Sequence, residues 1–171
     1  MDYRFWMFSF RLISASFSLL LIAAVHLAEA QQAIFLVRHA EQSLDREDPP
    51  LTEAGQRRAM VLATLLKEAG INAIYESGIR RTRETAEPLA RALNIQIKTY
   101  PRQDIMGFIS RLPTHHAQER VLIVSQSLRI SRWLKAFGHP ADITIAPTDY
   151  DNLFVIIPQG GAGSLLLRLH F

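Results

Sequence analysis

The chain has 171 residues, with 19 Lys and Arg against 16 Asp and Glu, six His and no Cys. Without cysteine it can build neither disulfides nor thiolate metal sites. Its net charge of +3 suits an anionic small molecule and is weak evidence for nucleic acid, so no nucleic-acid partner is expected.

The amino terminus, "MDYRFWMFSFRLISASFSLLLIAAVHLAEAQQ", opens with Arg4 and Arg11, runs apolar from Leu12 to about Leu27, and closes on Ala28-Glu29-Ala30. A basic start, a short apolar run and a small-x-small site have the layout of a secretory signal peptide cut before Gln31. The apolar run is short for a membrane span, and His26 and Glu29 sit at its end, so cleavage is favoured over an anchor. The expected organisation is a signal peptide over 1–30 and one domain over 31–171. The domain would be periplasmic or secreted, with no stable membrane span after cleavage.

Six strands are predicted, at Ala33–Val37, Ala73–Glu76, Ile95–Thr99, Val121–Ser125, Leu153–Ile157 and Leu165–His170. Helical periodicity lies between them. In "LTEAGQRRAMVLATLLKEAG", Ala59, Leu62, Ala63, Leu66 and Ala69 share a face, Thr52 is the N-cap and Gly70 the stop. "IRRTRETAEPLARAL" is helical with Pro88 inside, so a kink or break is expected there. "DIMGFISRL" places Ile105, Phe108, Ile109 and Leu112 at helical spacing, and "LRISRWLKAFG" does so with Ile130, Leu134 and Phe137 before Gly138. The tail "FVIIPQGGAGSLLLRL" reads as a hairpin around a Gly-rich turn. Strands alternating with helices predict a three-layer α/β/α sandwich with a mostly parallel sheet, and ligands then bind beyond the C-terminal strand ends.

Three of those ends carry the chemistry. The first delivers Arg38-His39, the second Ser77 and then Arg80, Arg81 and Arg83, and the fourth Ser125-Gln126-Ser127 with Arg129 a turn on. Two cationic ends facing one crevice make an anion site, because guanidinium groups offer paired, fixed donors to phosphate. An imidazole among arginines would have a depressed pKa and be neutral and nucleophilic at phosphorus. Taken singly, an Arg-His pair is a surface or capping feature and an arginine run is a solvated helix face; their joint placement at strand ends is what points to function.

The blocks "LVRHAE", "LTEAGQRRA", "YESGIRRTRETAEPLA", "VLIVSQS" and "YDNLFVI", in this order, resemble the histidine phosphatase superfamily, also called phosphoglycerate mutase-like. The resemblance runs from Ala33 to the C-terminus. It implies the phosphoglycerate mutase-like fold, His39 as the phosphoryl-accepting nucleophile, and Arg38 and Arg81 as the phosphate clamp. It gives no such role to Arg80 or Arg83 and implies no metal and no cofactor. The family's fourth block carries a second pocket histidine where this chain has Gln126, which can donate a hydrogen bond to phosphate but cannot carry charge or donate a proton as an acid. His115, His116, His139 and His170 are read as surface or loop histidines; Arg129, on the helix that starts at Ser127, could restore the missing charge, but the reading as a plain surface residue is favoured. For the general acid the candidates are Glu41, beside the first motif, and Asp104, which is equally a helix cap.

The expected function is hydrolysis of a phosphomonoester through a phosphohistidine on His39, with a phosphorylated small molecule or cell-envelope phosphate as substrate. The alternative is a pseudophosphatase that binds a phosphorylated ligand without turnover. A mutase is disfavoured by the apparent export and by the short chain. Protein recovered after export should begin at or near Gln31 by N-terminal sequencing; membrane-bound protein retaining Met1 or Asp2 would overturn the export reading.

Overall fold

The computed structural model describes residues 32–44, 47–139, 143–159 and 163–171. The expected signal peptide and the tip of the tail hairpin lie outside them. The described elements are β1 (Ala33–Arg38), α1 (Glu53–Leu66), β2 (Ile71–Glu76), α2 (Arg80–Leu93), β3 (Ile97–Thr99), α3 (Ile105–His115), β4 (Arg120–Ser125), α4 (Ser127–Ala136), β5 (Asn152–Pro158) and β6 (Ser164–His170). The sheet order is β3-β2-β4-β1-β5-β6. The first four in that order run parallel, whereas β5 is antiparallel to both β1 and β6.

Alternation along the strands sorts side chains to two faces. On one face Ile34, Leu36, Val121, Ile123, Phe154 and Ile156 pack with Ile105, Ile109 and Leu112 of α3 and with Ile130, Trp133 and Leu134 of α4. On the other, Val37, Ile74, Leu122, Val124, Leu153 and Val155 pack with Leu62, Ala63 and Leu66 of α1 and with Ala86, Leu89 and Ala90 of α2. This is the predicted three-layer sandwich. Both apolar clusters require the sheet between them, because neither helix pair can bury its stripe alone.

Two expectations are corrected. Pro88 does not break its helix: α2 continues from Arg80 to Leu93, pinned by Ala86 and Leu89, both fully buried on either side of the proline. The third strand starts at Ile97 rather than Ile95. Asn94 adopts a left-handed conformation, φ 54°, and Ile95 N–H turns back to the Ala90 carbonyl at 2.9 Å, so Ile95 closes the helix. Among the described residues no helix is long and apolar enough to cross a membrane.

The start of α1 shows how tightly the first strand end is held. Thr52 caps the helix, its Oγ1 accepting from Gly55 N–H at 3.1 Å, while Thr52 N–H donates to the Glu41 carbonyl at 2.9 Å. A Cβ on Gly55 would overlap that same carbonyl oxygen, so glycine lets the helix lie directly on the backbone following the Arg-His motif. Gly→Ala inside a helix ordinarily stabilises by about 1 kcal/mol. Here the overlap should win: Gly55→Ala is expected to destabilise by about 1–3 kcal/mol, as overpacking does, read as a lower Tm. A raised Tm would show that the close approach is slack.

Candidate functional site

β1 and β4 end together. Their register pairs Arg38 with Ser125, and His39 N–H donates to the Ser125 carbonyl at 2.9 Å. His39 is thereby set beside Gln126, the residue that precedes α4. Both Arg38 and His39 are buried, at 8% and 5% exposure.

The His39 ring has a defined tautomer. Its Nδ1 lies 2.8 Å from the Ala40 carbonyl, which can only accept, so Nδ1 carries the proton and Nε2 keeps its lone pair. Burial, and then the positive charges of Arg81 and Arg38, push its pKa down to about 4 against the upward pull of the Ala40 bond. The ring is neutral at physiological pH, with a nucleophilic nitrogen free.

Arg38 is fixed from the antiparallel side of the sheet. Because β5 runs against β1, the segment entering β5 arrives at the same edge as the end of β1. There Arg38 Nη1 donates to the carbonyls of Ala146, Pro147 and Asp149 at 3.0, 2.9 and 3.1 Å, and the guanidinium lies 3.9 Å from the centroid of the Tyr150 ring. Tyr150 also faces His39, with ring centroids 6.1 Å apart. Arg38 Nε remains buried and has no partner among the described residues.

Arg81 comes from the first turn of α2, which two devices hold against the strand ends. Thr85 Oγ1 accepts from Ala40 N–H at 3.0 Å and donates to the Arg81 carbonyl at 2.7 Å, tying the residue after His39 to that turn. Below it, the fully buried Glu76 carboxylate accepts from Gly78 N–H, Thr82 Oγ1, Thr99 Oγ1 and Arg83 Nη2, shaping the β2–α2 corner. Arg81 Nε is also buried without a partner, and its Nη1 stands 4.0 Å from Asp48 Oδ1. Burial lowers the pKa of both Arg38 and Arg81, and like charge adds to this, Arg81 acting on Arg38 and Arg102 on Arg81.

The structure therefore brings Arg38, His39, Arg81 and Gln126 to one edge. It does not bring Glu41 and Asp104 there as free acids. Arg58 Nε and Nη2 clasp the Glu41 carboxylate at 2.8–3.0 Å; burial raises its pKa, but these bonds outweigh burial and hold it below the usual carboxylate range. Asp104 caps α3, accepting from Gly107 N–H at 2.9 Å.

Other readings change as well. Arg83 is not simply a solvated face, since it pairs with buried Glu76 at 3.2 Å. His116 is a buried histidine bonded to Tyr75 and Glu119. His139 meets Ser164 at the far edge of the sheet, and the exposed His170 pairs with Asp151 at 3.2 Å on the site's edge. Arg129 is half-buried, with Nη1 shielded and unpartnered among the described residues. Sequence reasoning missed Tyr150, Thr85 and Asp48 as parts of the site. Thr85 stands in the "YESGIRRTRETAEPLA" block and Tyr150 in the "YDN" block before β5, but neither block named a role for them. Among the described residues no group of three or more His, Asp or Glu is placed to hold a metal ion.

Residues 34–104 match the family described as histidine phosphatase superfamily (branch 1). A protein of Escherichia fergusonii named probable phosphoglycerate mutase GpmB is 42% identical over 76 residues; that match spans 40% of this chain and only 35% of the relative. Gln126 and Arg129 lie beyond the family match. Among solved structures, the protein histidine phosphatase SixA complexed with tungstate has a TM-score of 0.68 at 17% identity, covering 81% of this chain and 96% of that one. The alpha-ribazole phosphatase of Shigella flexneri has a TM-score of 0.65 at 18% identity, covering 81% and 96%. Over residues 34–104 the chain is similar to the histidine phosphatase superfamily, and its described residues take the fold of those solved phosphatase structures.

Proposed function

We propose that this protein is an exported phosphatase that hydrolyses a phosphomonoester through a phosphohistidine on His39. The observation that carries the reading is the neutral His39, Nε2 free, flanked by Arg38 and Arg81 whose Nε donors are buried and unpartnered. A buried donor left open costs free energy, and a phosphoryl oxygen would satisfy each. The SixA structure holds tungstate, an oxyanion of phosphate-like shape, which supports an oxyanion ligand here.

In the proposed reaction His39 Nε2 attacks phosphorus as the bond to the ester oxygen breaks. Arg38 and Arg81 bind the non-bridging oxygens while charge spreads over them. The departing alkoxide takes a proton from water or from an acid on the substrate side, since Glu41 and Asp104 are engaged elsewhere. Water then attacks the phosphohistidine, releasing inorganic phosphate and the neutral imidazole. Gln126, at the position that the resemblance gives to the second pocket histidine, contributes a neutral amide donor. The substrate class is a phosphorylated small molecule or a cell-envelope phosphate. The alternative, a phosphate-binding pseudophosphatase, draws on the same Gln126 and on the engagement of both candidate acids.

Purified residues 31–171 should hydrolyse p-nitrophenyl phosphate, and His39→Ala should abolish turnover. Arg81→Ala should weaken orthovanadate binding about 10–100-fold, the scale of one charge-assisted donor. Arg83→Ala should leave that affinity intact and lower Tm, because it exposes the need of buried Glu76 for a cation. Equal losses of affinity at Arg81 and Arg83 would contradict the clamp, and vanadate binding without turnover on a broad phosphomonoester panel would select the pseudophosphatase.

The pH dependence follows from His39. Its folded pKa of about 4 lies below the ordinary 6.5. Across that window the unfolded chain binds a proton that the folded chain does not, so stability falls as pH drops from 6.5 toward 4. Imidazole 15N shifts should report a neutral ring protonated on Nδ1 down to about pH 5. A titration midpoint near 6.5 in the ligand-free protein would overturn this account of the nucleophile.

A further inference from the structure

A buried polar shelf lies beneath the strand ends on the α3–α4 side. Tyr100, with no exposed surface, places its hydroxyl 2.9 Å from Ser125 Oγ, and Trp133 Nε1–H donates to the same oxygen at 3.3 Å. Ser125 is the residue whose carbonyl holds His39 N–H. Arg129, in the first turn of α4, bears on this shelf, its positive charge acting on the Tyr100 hydroxyl. Its backbone N–H donates to the Gln126 carbonyl at 2.9 Å, so Gln126 and Arg129 open the same helix.

Arg129 is the third of a set. Among the described residues, the buried side-chain nitrogens without a partner are Arg38 Nε, Arg81 Nε and Arg129 Nη1. Arg38 ends β1, and Arg81 and Arg129 lie in the first turns of the helices after β2 and β4; the three strands are consecutive in the sheet as β2-β4-β1. Among the described residues no carboxylate is bonded to Arg129. A shielded guanidinium with an open donor is an unstable arrangement unless an anion completes it. Three such donors on segments that leave neighbouring strand ends equal in number the three non-bridging oxygens of a phosphoryl group.

We propose that Arg129 is the third cation of the phosphate pocket, donating through Nη1 to a phosphoryl oxygen and supplying the positive charge that Gln126 cannot. The inference rests on the phosphatase reading of His39. It makes the amide at position 126 tolerable: the charge enters the pocket one helical turn later along α4. Because a guanidinium does not lose its proton near neutral pH, this cation stabilises charge but is no proton donor.

The test is a set of variants measured for orthovanadate affinity, p-nitrophenyl phosphate turnover and Tm. Arg129→Ala should lower vanadate affinity and kcat/KM about 10–100-fold, the effect of one charge-assisted donor, with Tm unchanged or raised. Arg129→Lys should keep part of both, and Arg132→Ala, exposed one turn further along the helix, should change neither. Gln126→His should restore much of the loss in the Arg129→Ala background and add little to the wild type, since the two cations serve one purpose. An Arg129→Ala protein with wild-type affinity and rate, beside an inactive His39→Ala, overturns the inference and leaves the phosphatase reading standing. A loss in Arg129→Ala that comes with a lower Tm and is not rescued by Gln126→His overturns it in favour of a structural role. A wild-type protein that neither binds vanadate nor turns over phosphomonoesters overturns both readings.

Discussion

Positive charge buried without a closely bonded carboxylate is the constraint on which this structure turns. Arg38 is almost wholly buried and Arg81 mostly so, and both stand around an imidazole that is itself buried and neutral. Desolvating a guanidinium costs several kcal/mol unless hydrogen bonds or an anion offset it. The nearby carboxylates act from a distance and do not outweigh burial: Glu41 is clasped by Arg58, Asp48 lies 4.0 Å from Arg81 and is half exposed, and Asp149 bonds Arg38 through its backbone carbonyl while its charge acts without a direct bond. What holds Arg38 instead is a set of three carbonyl dipoles and the face of Tyr150. Dipoles tolerate the cation without neutralising it, which keeps the edge attractive to an oxyanion.

Much of the remaining architecture can be understood as support for that edge. The β1–β4 ladder brings Arg38 level with Ser125, and the antiparallel β5 returns the 146–150 segment to the same end. Thr85 couples the residue after His39 to the turn that bears Arg81. Glu76 shows the opposite electrostatic choice: a carboxylate with no exposed surface, neutralised by Arg83 and saturated by backbone and hydroxyl donors. One buried charge is satisfied and organises a corner; the others are left open and face the crevice.

The catalytic logic then divides by residue type. The His39 tautomer is set by a carbonyl one residue away and its neutrality by burial and two cations, so on the proposed reading the nucleophile is prepared before any substrate arrives. Preorganised cations act where charge spreads during phosphoryl transfer and need no rearrangement to do so. On the proposed reading, an amide at Gln126 and a guanidinium at Arg129 share between them what one imidazolium would otherwise do.

The order of strands and helices, the apolar stripes of α1, α3 and α4, the Thr52 cap and the joint placement of Arg38, His39 and Arg81 at strand ends were all legible in the chain, because periodicity and local capping are properties of neighbouring residues. So was the depressed pKa of an imidazole among arginines. Local reasoning failed where the partner is distant in sequence. It assigned Pro88 a break, though packing on both sides of the proline holds the helix. It read Arg83 as a solvated face, which its exposure supports, but could not foresee that its guanidinium reaches the buried Glu76 carboxylate. It offered Glu41 and Asp104 as acids, though Arg58 and the α3 terminus engage them. Sequence by itself determined the sheet, its helices and the convergence of Arg38, His39 and Arg81 on one edge; only the tertiary structure decided which charges are paired and which stay open, since pairing depends on burial and on contacts between segments far apart in the chain.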